Sequence, residues 1–211
     1  MIQQTYPVEI EALFGLLTLI GIALVIPGPN ALTCFAHSGI YGPKSNIKLI
    51  IGMIIGFVTI ELTIGLIIDS LKESNTAMLV FHWIGMAFLT IVVVSMYRIN
   101  PADINSKEID GAFGLKTGIT MQFINGKEWA FLIIAMSQFI EPLGGGLTGI
   151  STIIVVTVTS CTIAMVLWTF AGSRLSNMFS DPVKGPMVFK TSSFLLSLLL
   201  IRFLIQGPVS V

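Results

Sequence analysis

Three charged side chains stand where an apolar chain should carry none. Glu61 lies inside the hydrophobic stretch 46–68, and Lys127 and Glu128 lie side by side inside 115–140. At the centre of a membrane helix each costs roughly 3 kcal/mol on insertion scales, so such groups normally face protein and have a partner. If all three are ionised their sum is −1. One lysine neutralises one carboxylate, which leaves the other to hold a proton or a cation. An ammonium group would serve. The chemistry on offer is therefore a carboxylate that alternates between a proton and an amine.

Two polar interruptions accompany these charges. The first is IPGPNALTC, residues 26–34, with Pro27, Gly28, Pro29 and Asn30 in the middle of an apolar run. The second is INGKE, residues 124–128, with Asn125 and Gly126 ahead of the charged pair. Proline inside a helix removes a backbone donor and clashes with the preceding turn. In lipid, freed backbone groups must face protein or a water-filled cavity. The spacing predicts that a helix restarts after Pro29 with Asn30 as its N-cap, and another at Lys127 or Glu128 after Gly126. Each new N-terminus carries partial positive charge and suits a carboxylate. The candidate solute-binding residues are thus Pro27, Gly28, Pro29, Asn30, Asn125, Gly126 and Lys127. Glu61, Glu128 and Lys127 are the candidates for proton coupling or charge pairing. A break can also be a simple kink, and a Glu in a first helical turn is stabilised by the dipole without any transport role.

The elements that must position these residues follow from composition. The 211 residues are 54% hydrophobic and 10% charged, against about 25% charged in a typical soluble domain. The apolar runs are continuous and of membrane-helix length, not the alternating pattern of a barrel. They predict an all-α polytopic membrane protein with six transmembrane helices near 10–41, 46–68, 77–99, 115–140, 148–171 and 187–205. The first and fourth are broken at mid-membrane. The net charge of zero gives no argument for nucleic acid. The opening MIQQTYPVEIE lacks a basic region, so a cleavable signal peptide is not expected.

Basic residues set the orientation. Lys44, Lys48, Arg98, Lys107, Lys116, Arg174, Lys184 and Lys190 fall on one side, against Lys72 and Arg202 on the other. Both termini are expected outside, with Tyr6 and Trp83 at the outer boundary and Tyr41 and Tyr97 at the inner one. FGLLTLI (14–20) and FGLKTGI (113–119) match at five of seven positions with an offset of 99. Nearly the same offset relates the two interruptions. Three spans per repeat would invert the second copy, and paired broken helices in inverted repeats are a transporter arrangement. The expected division is 10–99 as repeat 1, 100–114 as a cytoplasmic linker and 115–206 as repeat 2, within one membrane domain.

Other residues are weighed beside these. Gly52 and Gly56 form a close-packing face that leaves a homodimer open. Glu61 lies roughly 140–180° from them around a helix, and Gly65 shares its side. Thr157, Thr159, Ser160 and Thr162 cluster in span five, though such hydroxyls often bond their own helix. His37 and His82 read as interfacial or packing residues. Cys34 and Cys161 lie in separate apolar spans. No cofactor, metal-ligand spacing or hydrolase or nucleotide motif is expected.

Six spans, PGPN at the first break and a polar motif in the fourth span resemble the lysine-exporter/RhtB superfamily of amino-acid exporters. The family pattern Asn-Pro-Lys is here Asn125-Gly126-Lys127. MQFINGKE and WTFAGSRL (168–175) look closest to the cysteine/O-acetylserine exporter branch. The resemblance implies a secondary transporter, not an enzyme, in a bacterial cytoplasmic (inner) membrane. It would export a small neutral amino acid or derivative, with protons and the lipid bilayer as its other partners and proton antiport as the expected coupling. Two other readings stand beside it. One is a membrane thiol relay through Cys34 and Cys161, and the other an ion carrier or channel.

Overall fold

The computed structural model describes residues 8–25, 28–98, 113–179, 181 and 183–207, and every regular element among them is helical. In order these are α1 (Ile10–Val25), α2 (Pro29–Tyr41), a 3-10 turn at Pro43–Ser45, α3 (Asn46–Leu71), α4 (Asn75–Arg98), α5 (Leu115–Ile124), α6 (Gly126–Phe139), α7 (Gly146–Phe179) and α8 (Lys184–Gln206). Both expected interruptions are present, one between α1 and α2 and one at Asn125. Pro27 and linker residues 100–112 lie outside the described residues.

Among the described residues three helical stretches are long and apolar enough to cross a membrane: 43–71, 75–95 and 146–174. The α1–α2 pair, bent by 47°, makes a fourth if read as one span. The halves α5 and α6 are shorter, with 10 and 14 residues, and the strongly apolar part of α8 is confined to 193–205. Helix positions agree with the predicted spans, while length and apolarity alone support three or four crossings. The order of elements recurs, with an interrupted helix followed by two long ones, twice.

Glycine places the stops. Gly42 takes φ 82 after α2, and its N–H caps the Ser38 carbonyl. The run Gly144, Gly145 and Gly146 turns α6 into α7 at φ 112, 68 and 47, backbone that L side chains avoid.

Glycine also sets how closely the helices approach. α3 packs along α5, where Gly52 faces the Leu115 carbonyl and Gly118 faces the Leu49 carbonyl and the Met53 N–H. A Cβ on either would fall on the other helix's backbone. Gly56 rests on Gln122 and Ile119 of the same helix. The Gly52/Gly56 face is thus occupied inside the chain, and the expectation of a homodimer loses the surface that suggested it. α2 packs along α7 in the same manner, with Gly172 against the Phe35 carbonyl and Ser38. α4 lies between α6 and α8. The core joins Leu16, Leu132, Met136, Ile153 and Leu196, all at most 1% exposed.

The two ends of the bundle differ. At one, the loop before α3, the approach to α5 and the far end of α7 meet, and Lys190 lies 5.9 Å from the Tyr97 ring centroid. At the other, Lys72 donates to Glu141 at 2.7 Å and lies 3.3 Å from Asp69, while the Glu9 N–H bonds the Pro142 carbonyl at 2.9 Å. The hydrogen bond to Glu141 raises the Lys72 pKa above its ordinary value.

Replacing Gly52 or Gly118 with Ala forces two backbones apart, so each substitution should cost about 1–3 kcal/mol. Gly21→Ala meets nothing within 4 Å and should be neutral. Thermal unfolding of the purified protein in detergent checks both outcomes.

Candidate functional site

The two breaks are built on one plan. At the first, Gly28 is the N-cap in extended backbone (φ −94, ψ −177) and Pro29 is the first helical residue. Proline suits that position because its missing N–H would be unused there. Asn30 is therefore not the cap that the sequence predicts. It is the second helical residue, 7% exposed, and its side chain is free to reach across. At the second break Asn125 is the N-cap and Gly126 the first residue of α6. Gly126 stands where the exporter pattern has proline, at the position where proline and glycine differ least in backbone bonding. Matching caps relate Gly28 to Asn125 and Pro29 to Gly126, two residues short of the offset found in the FGLLTLI pair.

The breaks interlock through side chains. The Lys127 ammonium donates to the Ala23 carbonyl at 2.7 Å. That carbonyl belongs to the last turn of α1, where backbone acceptors have no helical partner and a cation is favoured by the dipole. To arrive there Lys127 passes over Gly28, where a Cβ would lie 2.7 Å from Cδ and 3.0 Å from Nζ. The glycine of PGPN makes room for the lysine of NGK. Two residues on, the Trp129 indole N–H bonds the Phe123 carbonyl at 3.1 Å, serving the end of α5 in the same way.

Amides join the other halves. Asn30 Nδ2 donates to Gln122 Oε1 at 2.8 Å, and Gln122 Nε2 returns a bond to Asn30 Oδ1 at 3.1 Å. Gln122 also donates to the Gly118 carbonyl at 3.2 Å. Glu128 Oε1 accepts from Asn30 at 3.3 Å and from Asn125 at 3.4 Å. Glu128 thus lies against both new N-termini through the side-chain amides of Asn30 and Asn125. Asn125 Oδ1 is buried without a hydrogen-bond partner among the described residues.

Glu61 sits apart from Lys127. It is fully buried, and its Oε1 lies 2.5 Å from Thr157 Oγ1 on α7. Its Oε2 has no hydrogen-bond partner among the described residues. Thr157 Oγ1 is also 2.7 Å from the Ile153 carbonyl. The side of α3 opposite Gly52 and Gly56 therefore faces α7, where Gly65 lies against Ile150.

A cavity of about 30 Å³ lies beside the breaks, lined among others by Asn30, Gln122, Glu128, Cys161 and Thr162. A second, of about 20 Å³, has Lys127, Glu128 and Cys161 in its wall. Each has room for water only. Cys34 is elsewhere, its sulfur 3.9 Å from those of Met53 and Met165, and both cysteines are free thiols.

A buried polar knot closes one end of the bundle. His37 is fully buried; its Nε2 accepts the Phe113 N–H at 2.8 Å, so Nδ1 carries the hydrogen toward Asn46 Oδ1 at 2.5 Å. That tautomer is inferred from the bonds. Asn46 donates to the Cys34 carbonyl at 2.7 Å and to Thr169 Oγ1 at 2.8 Å. Ser38 donates to the Thr169 carbonyl at 2.6 Å. His82, by contrast, packs edge-on against Trp83.

Sequence reasoning passed over Gln122 and the His37–Asn46–Thr169 knot, and it named Thr157 only within a hydroxyl cluster expected to bond its own helix. Gln122 carried a signal, since it lies three residues before Asn125, one helical turn from the break. Thr157 and Thr169 did not stand out among the many hydroxyls of α7.

No family model matches the chain, and no solved structure matches it. It is 25% identical over 159 residues to proteins named cysteine/O-acetylserine efflux protein from Salmonella choleraesuis (strain SC-B67) and Salmonella typhimurium (strain LT2). That match covers 75% of this chain and 80% of each relative. A protein of the same name from Klebsiella pneumoniae is 23% identical over 77% of this chain and 83% of its own. The likeness is to efflux proteins. It supports the exporter resemblance read from PGPN and MQFINGKE, and the relatives are transporters by name, not enzymes.

Replacing Lys127 with Met should leave the Ala23 carbonyl buried without its donor, costing about 1–3 kcal/mol. Thermal unfolding in detergent reads it, and Gln122→Met should cost a similar amount by leaving Asn30 Oδ1 without its donor.

Proposed function

We propose that this multi-pass membrane protein is a secondary exporter of a small amino acid or derivative, and that the solute binds between the two helix breaks. The observation that carries the reading is that Asn30 of the first break and Glu128 of the second line one water-sized cavity beside Gln122. The similarity to cysteine/O-acetylserine efflux proteins supports an O-acetylserine-like or cysteine-like solute. The proposed architecture is six spans in two inverted three-helix repeats, with the basic loops in the cytoplasm and both termini outside. Pro29, Gly28 and Gly126 shape the breaks, as Pro27 would by its position. Asn30, Asn125 and Lys127 flank the solute.

Proton antiport follows from the carboxyl groups. A protonated Glu61 would donate to Thr157 Oγ1 while Thr157 donates to the Ile153 carbonyl, which leaves only the neutral carbonyl oxygen Oε2 without a partner among the described residues. An ionised Glu61 would leave a buried oxygen without a donor, which is costly. With Glu61 neutral, Lys127 and Glu128 balance. Binding then proceeds as an exchange: the ammonium of the solute approaches the carboxylates, Glu61 gives up its proton to the cytoplasm, and a proton returns from outside after release. The cavity is too small for an amino acid as it stands, so entry requires the halves to part. The knot at His37, Asn46 and Thr169 is the closure of the cytoplasmic end on this reading.

Efflux from proteoliposomes tests it. Vesicles preloaded with labelled O-acetyl-L-serine should release it faster when a proton gradient is applied, and Glu61→Gln and Glu128→Gln should each slow the gradient-driven part by at least tenfold, the loss of one charged contact. Gradient-driven export that survives in the double variant would show that neither carboxyl couples the proton.

A further inference from the structure

The largest cavity described here is not at the breaks. It has a volume of about 200 Å³ and opens beside α1, α6 and α8. Along α1 and the residue before it, its wall is Glu9, Ala12, Gly15, Thr18, Leu19 and Ile22, a spacing that forms one helix face. That stripe runs about 20 Å along the axis. Its inner end, Ile22, is next to Ala23, whose carbonyl holds Lys127. Its wall carries two opposite charges, Glu9 just ahead of α1 and Arg202 on α8. Among the described residues neither side chain forms an ion pair or hydrogen bond. The Glu9 backbone is fixed by its bond to Pro142, so the carboxylate is presented from a held position. An anion and a cation facing one cavity, without joining each other, suit a ligand that carries both charges.

We propose that this cavity is the exit vestibule of the exporter and that Glu9 and Arg202 form a second, peripheral site for a zwitterion of the α-amino acid class. The ammonium of the ligand meets Glu9 and its carboxylate meets Arg202. The proposal rests on the exporter reading for its route, while the site itself stands on the cavity and its charges. A site at the exit would be refilled by external amino acid and would slow release from within. The same charge pattern would also take a phosphatidylethanolamine headgroup, and lipid composition separates the two sources.

The test uses bacterial spheroplasts that express the full chain and are preloaded with labelled O-acetyl-L-serine. External unlabelled O-acetyl-L-serine should inhibit efflux from the wild-type protein. O-acetylethanolamine, without the carboxylate, and 3-acetoxypropionate, without the amine, should inhibit far less. Glu9→Gln and Arg202→Gln should each raise the inhibitory concentration about tenfold, the loss of one charged contact, with the apparent KM for internal solute unchanged. Unchanged external inhibition in both variants would overturn the proposal. So would an effect of the variants that appears only in phosphatidylethanolamine-containing proteoliposomes and is indifferent to amino acid. If the wild-type protein exports nothing, the exporter reading falls, and equilibrium dialysis of the purified protein with O-acetyl-L-serine decides the site separately. Binding that weakens in Glu9→Gln and Arg202→Gln supports it, and binding that is equal in all three proteins overturns it.

Discussion

A helix cannot be interrupted in apolar surroundings unless something meets the backbone groups that the interruption frees. That constraint organises this molecule. The end of α1 offers a carbonyl at Ala23, and the cation that meets it comes from the other break, 104 residues away. The start of α2 sends Asn30 to Gln122, one turn before the second break, at a separation of 92 residues. The first interruption is satisfied from the second; the second meets its own Phe123 carbonyl with Trp129 and is tied to the first through the Asn30–Gln122 pair. The first is more than a local kink, because a kink would find its partners in its own span or its immediate neighbours, and the Ala23 carbonyl finds its donor 104 residues away.

The glycines make this interlocking geometrically possible. Gly52 and Gly118 bring α3 and α5 to backbone contact, and Gly172 does the same for α7 and α2. These contacts hold α2 and α5, the halves on one side of the breaks, against the long helices. The halves on the other side, α1 and α6, border the large cavity with Arg202 and Phe203 of α8. The bundle is thus tight and sealed by a polar knot at one end, and loose at the other. An asymmetry of that kind is what a carrier needs if its two ends are to open in turn.

Much of this was legible in the chain. The positions of both breaks follow from PGPN and NGK, and the three buried charges follow from their rarity in apolar runs. The direction of Glu61, away from Gly52 and Gly56, follows from helical spacing. What was not legible depends on contacts between distant segments. Asn30 looks like a cap by residue type, yet Pro29 pre-empts the first helical position and moves the cap to Gly28. The two N-termini look like empty seats for a carboxylate, yet Glu128 already bonds the Asn30 and Asn125 side chains beside them. Lys127 looks like the partner of a carboxylate, and nothing local reveals the carbonyl of Ala23. His37 looks like a boundary residue until Asn46, Phe113 and Thr169 are brought around it.

The central claim is that the two breaks form one interlocked centre and that the exported solute enters between them. A structure of the full-length protein determined with O-acetyl-L-serine bound tests it most directly. The account predicts the solute between Asn30, Gln122 and Glu128, with the Asn30–Gln122 pair opened and Lys127 still on the Ala23 carbonyl. A solute held elsewhere, with Asn30 and Gln122 still joined and the cavity still filled only by water, would contradict it.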